Sequence, residues 1–220
     1  MQGVLSVVAT PIGNLGDITL RALETLKKAD VIFCEDTRVT AKLLARYEIS
    51  KPLVRCDAHK EDAAAKKALE LLIEGKRVVL VTDAGTPGIS DPGARVVALA
   101  RARDNRVEVI PGPSALTAAL SIVGVPLSEF VFLGFLPHKK GRQTIFKEIA
   151  KEKRAVVFYE SPHRIMKALE SLVSTRREVV VCRELTKMYE EVLRGSPQEI
   201  IAGLKAKPGR ARGEFVVVVH

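Results

Sequence analysis

Short runs of β-branched residues alternate with helical patterns almost from end to end of the 220-residue chain, and this alternation leaves few folds open to it. Val4 to Ala9 reads as a first strand, Leu20 to Lys28 as a helix with Leu20, Leu23 and Leu26 on one face, and Val31 to Cys34 as a second strand. Asp62 to Glu74 reads as a helix that Gly75 stops, feeding a strand from Val78 to Thr82. Pro92 to Arg103 reads as another helix before the strand Val107 to Ile110. The pattern restarts with a helix from Ser114 toward Val123, ended before Pro126. Further strands are predicted at Val131 to Phe135, Ala155 to Tyr159, Glu178 to Cys182 and Phe215 to Val219. Ser161-Pro162 and Ser196-Pro197 each supply a helix start, with serine as the cap and proline at the first helical position. The predicted class is α/β: two α/β domains, residues 1–115 and 116–220, with largely parallel sheets and a cleft between them.

A chain of this length buries a core without staples. Cys34, Cys56 and Cys182 are far apart and form no CxxC pair, so they read as reduced, buried thiols of a cytoplasmic protein. The first residues show no charged leader or cleavage pattern, and no apolar run approaches the roughly 18 residues that span a bilayer, so neither secretion nor a membrane is expected. The net charge of +9 is uneven: residues 1–115 carry 17 basic and 15 acidic side chains, residues 116–220 carry 18 and 11. The second half therefore suits a polyanionic partner, although ordinary solvated surface accounts for the charge equally well.

Three strands of the first half end in Gly/Pro-rich turns: Thr10 to Gly16 (TPIGNLG), Asp83 to Gly93 (DAGTPGISDPG) and Pro111 to Ala115 (PGPSA). The carboxyl ends of parallel strands line one crevice, so the three turns are expected to converge there. Glycine lets backbone approach a ligand, and proline stiffens the wall. There is no G-x-G-x-x-G and no P-loop, which removes the best support for a dinucleotide or a nucleoside triphosphate. Hydroxyls of Thr86, Ser90 and Ser114 among small apolar residues suit a neutral base and ribose instead.

Ionisable groups follow three strands: Glu35-Asp36-Thr37-Arg38, Glu160-Ser161-Pro162-His163-Arg164 and Arg183-Glu184-Leu185-Thr186-Lys187. Loop-borne charges at strand ends gather where function does, and each also reads as a cap for the next helix. The four histidines show no ligand spacing, so no metal site is expected. Lys139-Lys140-Gly141-Arg142, with Arg164, forms a basic cluster able to track a phosphate backbone.

Taken in order, SVVATPIGNL (6–15), CEDTR (34–38), TDAGTPGISDPG (82–93), IPGPSA (110–115), FLPHKKGR (135–142), FYESPHRI (158–165), RELTKMYEE (183–191) and GEF (213–215) resemble the successive signatures of the ribosomal RNA small subunit methyltransferase I family. That family lies within the tetrapyrrole-methylase-like superfamily, and the resemblance runs through essentially the whole chain. It implies a cofactor cleft for S-adenosylmethionine, a cytoplasmic homodimer, and 2'-O-methylation of a cytidine in the decoding region of 16S ribosomal RNA. Carried over by motif, it implicates Pro11, Gly85, Thr86, Pro87, Ile89, Ser90, Ser114, Ala115, Tyr159, Glu160 and Leu185 in holding the cofactor. The family pattern continues past the Gly-Glu-Phe strand, whereas this sequence stops at His220, so RNA contacts of such an extension are not expected from these residues.

Methyl transfer to an alcohol is an in-line displacement that rewards positioning, and a ribose hydroxyl gains from a base or from stabilised charge. Asp36, Glu160 or Glu184 is the candidate to accept or orient the proton, with Arg38 or Lys187 stabilising charge. Lys139, Lys140, Arg142 and Arg164 are the candidate RNA contacts. A small-molecule methylase of the same fold, or a non-catalytic ribosome assembly factor, stands as the alternative.

Overall fold

Strands buried on both faces need apolar side chains at every position, and the runs VLSVV, VIFC and RVVL become the centre of the first sheet. In the computed structural model, which describes residues 3–207 and 209–220, the chain divides into two compact units, Met1–Ser114 and Ala115–His220. The first unit contains β1 (Val4–Val8), α1 (Leu20–Lys28), β2 (Val31–Cys34), α2 (Thr37–Arg46), β3 (Leu53–Arg55), α3 (Glu61–Ile73), β4 (Arg77–Leu80), α4 (Ala94–Arg101) and β5 (Arg106–Ile110). Its five strands are all parallel, in the order β3-β2-β4-β1-β5.

The pleat splits the core in two. Val8, Ile32, Val79, Val81 and Ile110 meet Ala22 and Leu26 of α1 and Leu43 and Leu44 of α2 on one face. Leu5, Phe33, Val78 and Leu80 meet α3 and α4 on the other. Small residues set the spacing there: Ala64, Ala65 and Ala68 line α3, and a methyl added at Gly3 would fall 2.5 Å from the Leu72 carbonyl oxygen. The end of α3 is a Schellman turn, with Gly75 at φ +81° and the Lys76 and Gly75 amides donating to Leu71 and Leu72. Leu20 departs from the expected apolar face of α1: it is 81% exposed, and Ala22 and Leu26 carry the burial.

The second unit contains α5 (Ala115–Ile122), β6 (Phe130–Phe135), α6 (Arg142–Lys151), β7 (Ala155–Glu160), α7 (Ile165–Leu172), β8 (Val179–Arg183), β9 (Glu191–Gly195), α8 (Pro197–Lys205) and β10 (Phe215–Val219). Its order is β6-β7-β10-β8-β9, and of the hydrogen-bonded pairs only β6 with β7 is parallel. The expectation of a largely parallel sheet is corrected here, because a fully buried run such as FVVVV reads the same in either direction. β10 lies in the middle, all five residues buried, and Val156, Phe158, Val179, Val181 and Val217 pack against α6, α7 and α8.

Ser196 caps α8 in a capping box with Glu199, as its sequence predicts. Ser161 does not cap α7. That helix starts at Ile165, and residues 162–164 form a turn in which the Ser161 carbonyl accepts from the Arg164 and Ile165 amides. The three thiols are buried and unbridged, and burial pushes Cys56 and Cys182 up to about 11, which leaves them protonated and inert. Among the described residues no helix is long and apolar enough to cross a membrane.

Phe158 is fully buried and meets Phe146 edge-on at 6.4 Å between ring centres. Phe158→Ala is expected to cost the second unit about 3–5 kcal/mol in chemical denaturation. A loss below about 1 kcal/mol would contradict this packing.

Candidate active site

The parallel first sheet delivers the ends of β2, β4, β1 and β5 side by side along one edge. The three Gly/Pro turns are joined there by backbone and hydroxyl hydrogen bonds. Thr10 and Gly85 exchange two hydrogen bonds, of 2.9 and 3.0 Å, the Thr10 hydroxyl donates to the Thr82 carbonyl at 3.1 Å, and the Thr86 hydroxyl donates to the Pro113 carbonyl at 3.2 Å. Gly85 sits at φ +86°, where a side chain would be strained. Pro11 and Pro87 are buried in the walls, whereas Ile89 and Ser90 project into solvent, Ser90 itself in the left-handed region at φ +66°. Pro11, Gly85, Thr86, Pro87, Ile89, Ser90 and Ser114 thus lie on turns of one sheet edge.

Carboxylates crowd the same edge. Asp36 caps α2 and is held on both oxygens by Arg38, whose guanidinium keeps its pKa well below the usual range. The Asp36 amide donates to Asp83 at 3.0 Å, and the Thr82 hydroxyl donates to Glu35 at 3.3 Å. Burial first, then a neighbouring carboxylate, pushes Glu35 and Asp83 up: the charge of Asp83 acts on Glu35, and that of Asp36 on Asp83. Asp91 is pushed further, to about 6, by burial and by the charges of Glu35 and Asp83.

In the second unit the ends of β6, β7 and β8 and the entries to β9 and β10 also share one edge. Glu160, at the end of β7, is 1% exposed. One oxygen accepts from the Ser161 amide at 2.9 Å and pairs with Arg164 at 2.8 Å; the other accepts from Arg142 at 2.6 Å. The two guanidiniums also hold the Leu136 and Pro137 carbonyls, which fixes the start of the LPHKKGR segment. Arg142 and Arg164, only 14% and 15% exposed, are thereby committed to Glu160 rather than to solvent, while Lys139 and Lys140 stay exposed. Both Glu160 oxygens are thereby engaged by donors of the chain itself.

Glu184 accepts from the Glu214 amide at 2.9 Å and from Lys187 at 3.1 Å, and Lys187 reaches Glu214 at 2.8 Å. The pKa of Glu184 is lowered; burial opposes the shift, and the Glu214 amide and Lys187 outweigh it. Leu185 is buried between Glu184 (φ +49°) and Thr186 (φ +66°), two left-handed residues of the kind that cluster at functional turns. Tyr159 stacks edge-on against Phe132 and Phe135.

Residues 4–201 match the family Tetrapyrrole (Corrin/Porphyrin) Methylases. A ribosomal RNA small subunit methyltransferase I of Thermotoga maritima is 45% identical over 220 residues, 99% of this chain and 98% of that one. The protein of that name from Escherichia coli O157:H7 is 45% identical over 100% of this chain and 78% of its own. The chain belongs to the ribosomal RNA small subunit methyltransferase I family. Solved structures agree on the fold: cobalt precorrin-4 methyltransferase has a TM-score of 0.70 at 20% identity, covering 98% of this chain and 94% of that one. Diphthine synthase has the same TM-score at 16% identity, covering 98% and 89%.

Within this family member, Asp83 and Asp91 are the site-edge residues that sequence reading passed over. Both stand inside the TDAGTPGISDPG turn, whose glycines, prolines and hydroxyls are its stronger signal, and their proximity to Glu35 arises only from strand order. Because the folded pKa of Asp91 lies above its usual 3.8, the stability it contributes is present below about pH 4 and lost as pH rises through about 6. Relative to wild type, Asp91→Asn is expected to gain stability across that window and to show no difference below it. Identical pH–stability curves for the two proteins would refute the assignment.

Proposed function

We propose that the chain transfers a methyl group from S-adenosylmethionine to the 2'-hydroxyl of a cytidine in the decoding region of 16S ribosomal RNA, in the cytoplasm. The observation that carries the reading is the joining of three Gly/Pro turns at the edge where Glu35, Asp83 and Asp91 repel one another. Neutral walls with hydroxyls suit an adenosine, and the crowded carboxylates favour a cation beside them. When bound, the cofactor supplies a methyl on a sulfonium centre, positively charged and ready for in-line attack. The relatives' name supplies the substrate class.

The chain's own residues then act by position and charge. Asp36, Glu160 and Glu184 are each held by cations or amides, so they fix Arg38, Arg142, Arg164 and Lys187 in place more than they take a proton. Arg38, 86% exposed at its side chain, is available to a phosphate or a developing alkoxide. Lys139 and Lys140, exposed on a segment anchored through Glu160, supply phosphate contacts.

A homodimer is part of the same reading. β6 is an edge strand that exposes Phe130, Leu133 and Phe135 at 39%, 38% and 56%, an apolar edge that a second copy covers. Light scattering is expected to give about twice 24.0 kDa for wild type and the monomer mass for Phe135→Glu. A wild-type monomer sinks the dimer.

The central test is transfer of labelled methyl from S-adenosylmethionine to small subunits and to naked 16S RNA that lack the modification, with the product mapped by mass spectrometry. Label on one cytidine ribose is expected. Lys139→Ala/Lys140→Ala is expected to weaken RNA binding several-fold while cofactor affinity holds. No label on either RNA, with cofactor bound, turns the activity toward small molecules.

A further inference from the structure

The β8–β9 turn and the loop that leads into β10 line an open groove of about 700 Å³ in the second unit. Arg183 forms its floor and ties both walls together, donating to the Arg212, Tyr189 and Gly209 carbonyls at 2.7, 3.1 and 3.5 Å. The groove is therefore shaped before any ligand arrives. Its carboxylates are already engaged: Glu191 pairs with Arg210, Glu184 with Lys187, and Glu190 accepts from the Thr186 amide. Lys207 and Arg212 are exposed, and among the described residues their side chains make no hydrogen bond or ion pair, their backbone alone being engaged. At the rim, Met188 and Tyr189 stand 89% and 66% exposed.

We propose that this groove binds single-stranded RNA, an unpaired base lying on Tyr189 and Met188 and the adjoining phosphates on Lys207 and Arg212. The assignment rests on the ribosomal RNA reading above and extends its contact surface. A nucleotide offers an anion beside a flat π-face, and the groove presents unengaged cations beside an exposed aromatic ring. A duplex hides its base faces, so the ring discriminates in favour of unpaired RNA. The position is consistent as well: the groove and the Lys139-Lys140 segment lie on the same edge of the sheet, with β6 and β9 separated by about 19 Å across four strand spacings. One strand of RNA can follow that edge from one to the other.

The test measures binding of a short single-stranded oligoribonucleotide, and of the same sequence annealed to its complement, as a function of salt. Tyr189→Ala is expected to weaken the single strand on the order of ten-fold and leave the duplex unchanged, with Tyr189→Phe close to wild type. Lys207→Ala/Arg212→Ala is expected to reduce the slope of log affinity against log salt by about 1.4, the share of two phosphate contacts on a single strand. Affinity for S-adenosylmethionine, measured on the same variants, is expected to stay at the wild-type value, which shows that the fold is intact. Wild-type affinity and slope in all variants, with wild type still binding the oligonucleotide, overturns the groove and leaves the methyltransferase reading standing. A weakened Lys207→Ala/Arg212→Ala with an unaffected Tyr189→Ala overturns the base contact and points to an acidic peptide or other anion. No RNA binding by wild type overturns the RNA reading and the groove with it.

Discussion

A parallel strand can be followed by another only if the chain returns to the starting side, so every loop that leaves a parallel sheet does so along one edge. The first unit obeys this without exception, and its four adjacent strand ends carry the three Gly/Pro turns and the carboxylate cluster. The second unit reaches a similar result by a different route. There β6, β7 and β8 point the same way while β9 and β10 run against them, so strand ends and strand entries interleave along one edge. Loops distant in sequence, at 136–142, 161–164, 184–190 and 209–214, become neighbours along that edge.

The two edges manage charge in opposite ways. In the first unit carboxylates are left to repel one another, and Glu35, Asp83 and Asp91 all hold their protons more tightly than usual. In the second, each carboxylate of the edge is met by an arginine, a lysine or an amide: Glu160 by Arg142 and Arg164, Glu184 by Lys187, Glu191 by Arg210. Breaking such a buried pair costs more than the pair contributes, which makes Glu160 a structural commitment. The remaining cations, Lys139, Lys140, Lys207 and Arg212, face solvent. An edge that favours a cationic cofactor and an edge that favours a polyanion are both present in one chain.

How much of this was legible in the sequence depended on burial. Strands buried on both faces announced themselves, and Val4–Val8, Val31–Cys34 and Phe215–Val219 lie where the β-branched runs put them. The edge strands Leu53–Arg55 and Glu191–Gly195 escaped notice because one is three residues long and the other alternates half-buried with exposed residues. The start of the helix Thr37–Arg46 was legible only as one reading of the Glu35-Asp36-Thr37-Arg38 run, in which Asp36 is its cap. Strand direction in the second sheet left no trace in composition. At the site, local motifs located the turns and the charged strand ends, while the pairing of Glu160 with Arg142, eighteen positions away in the chain, and of Asp83 with the Asp36 amide required the fold itself.

The place of β10 at the middle of its sheet has a temporal side. The five strands of the first unit are complete in sequence by Ile110, so that unit can close while the rest is still being made. At about 5–20 residues per second, the roughly hundred residues that follow take on the order of 5 to 20 s to synthesise. From the point in that interval at which β7 and β8 have been made, they have no partner between them until Phe215–Val219, the strand that joins them, follows. The second unit therefore waits on the ribosome with two apolar strand edges open, and the order of translation decides when they are covered.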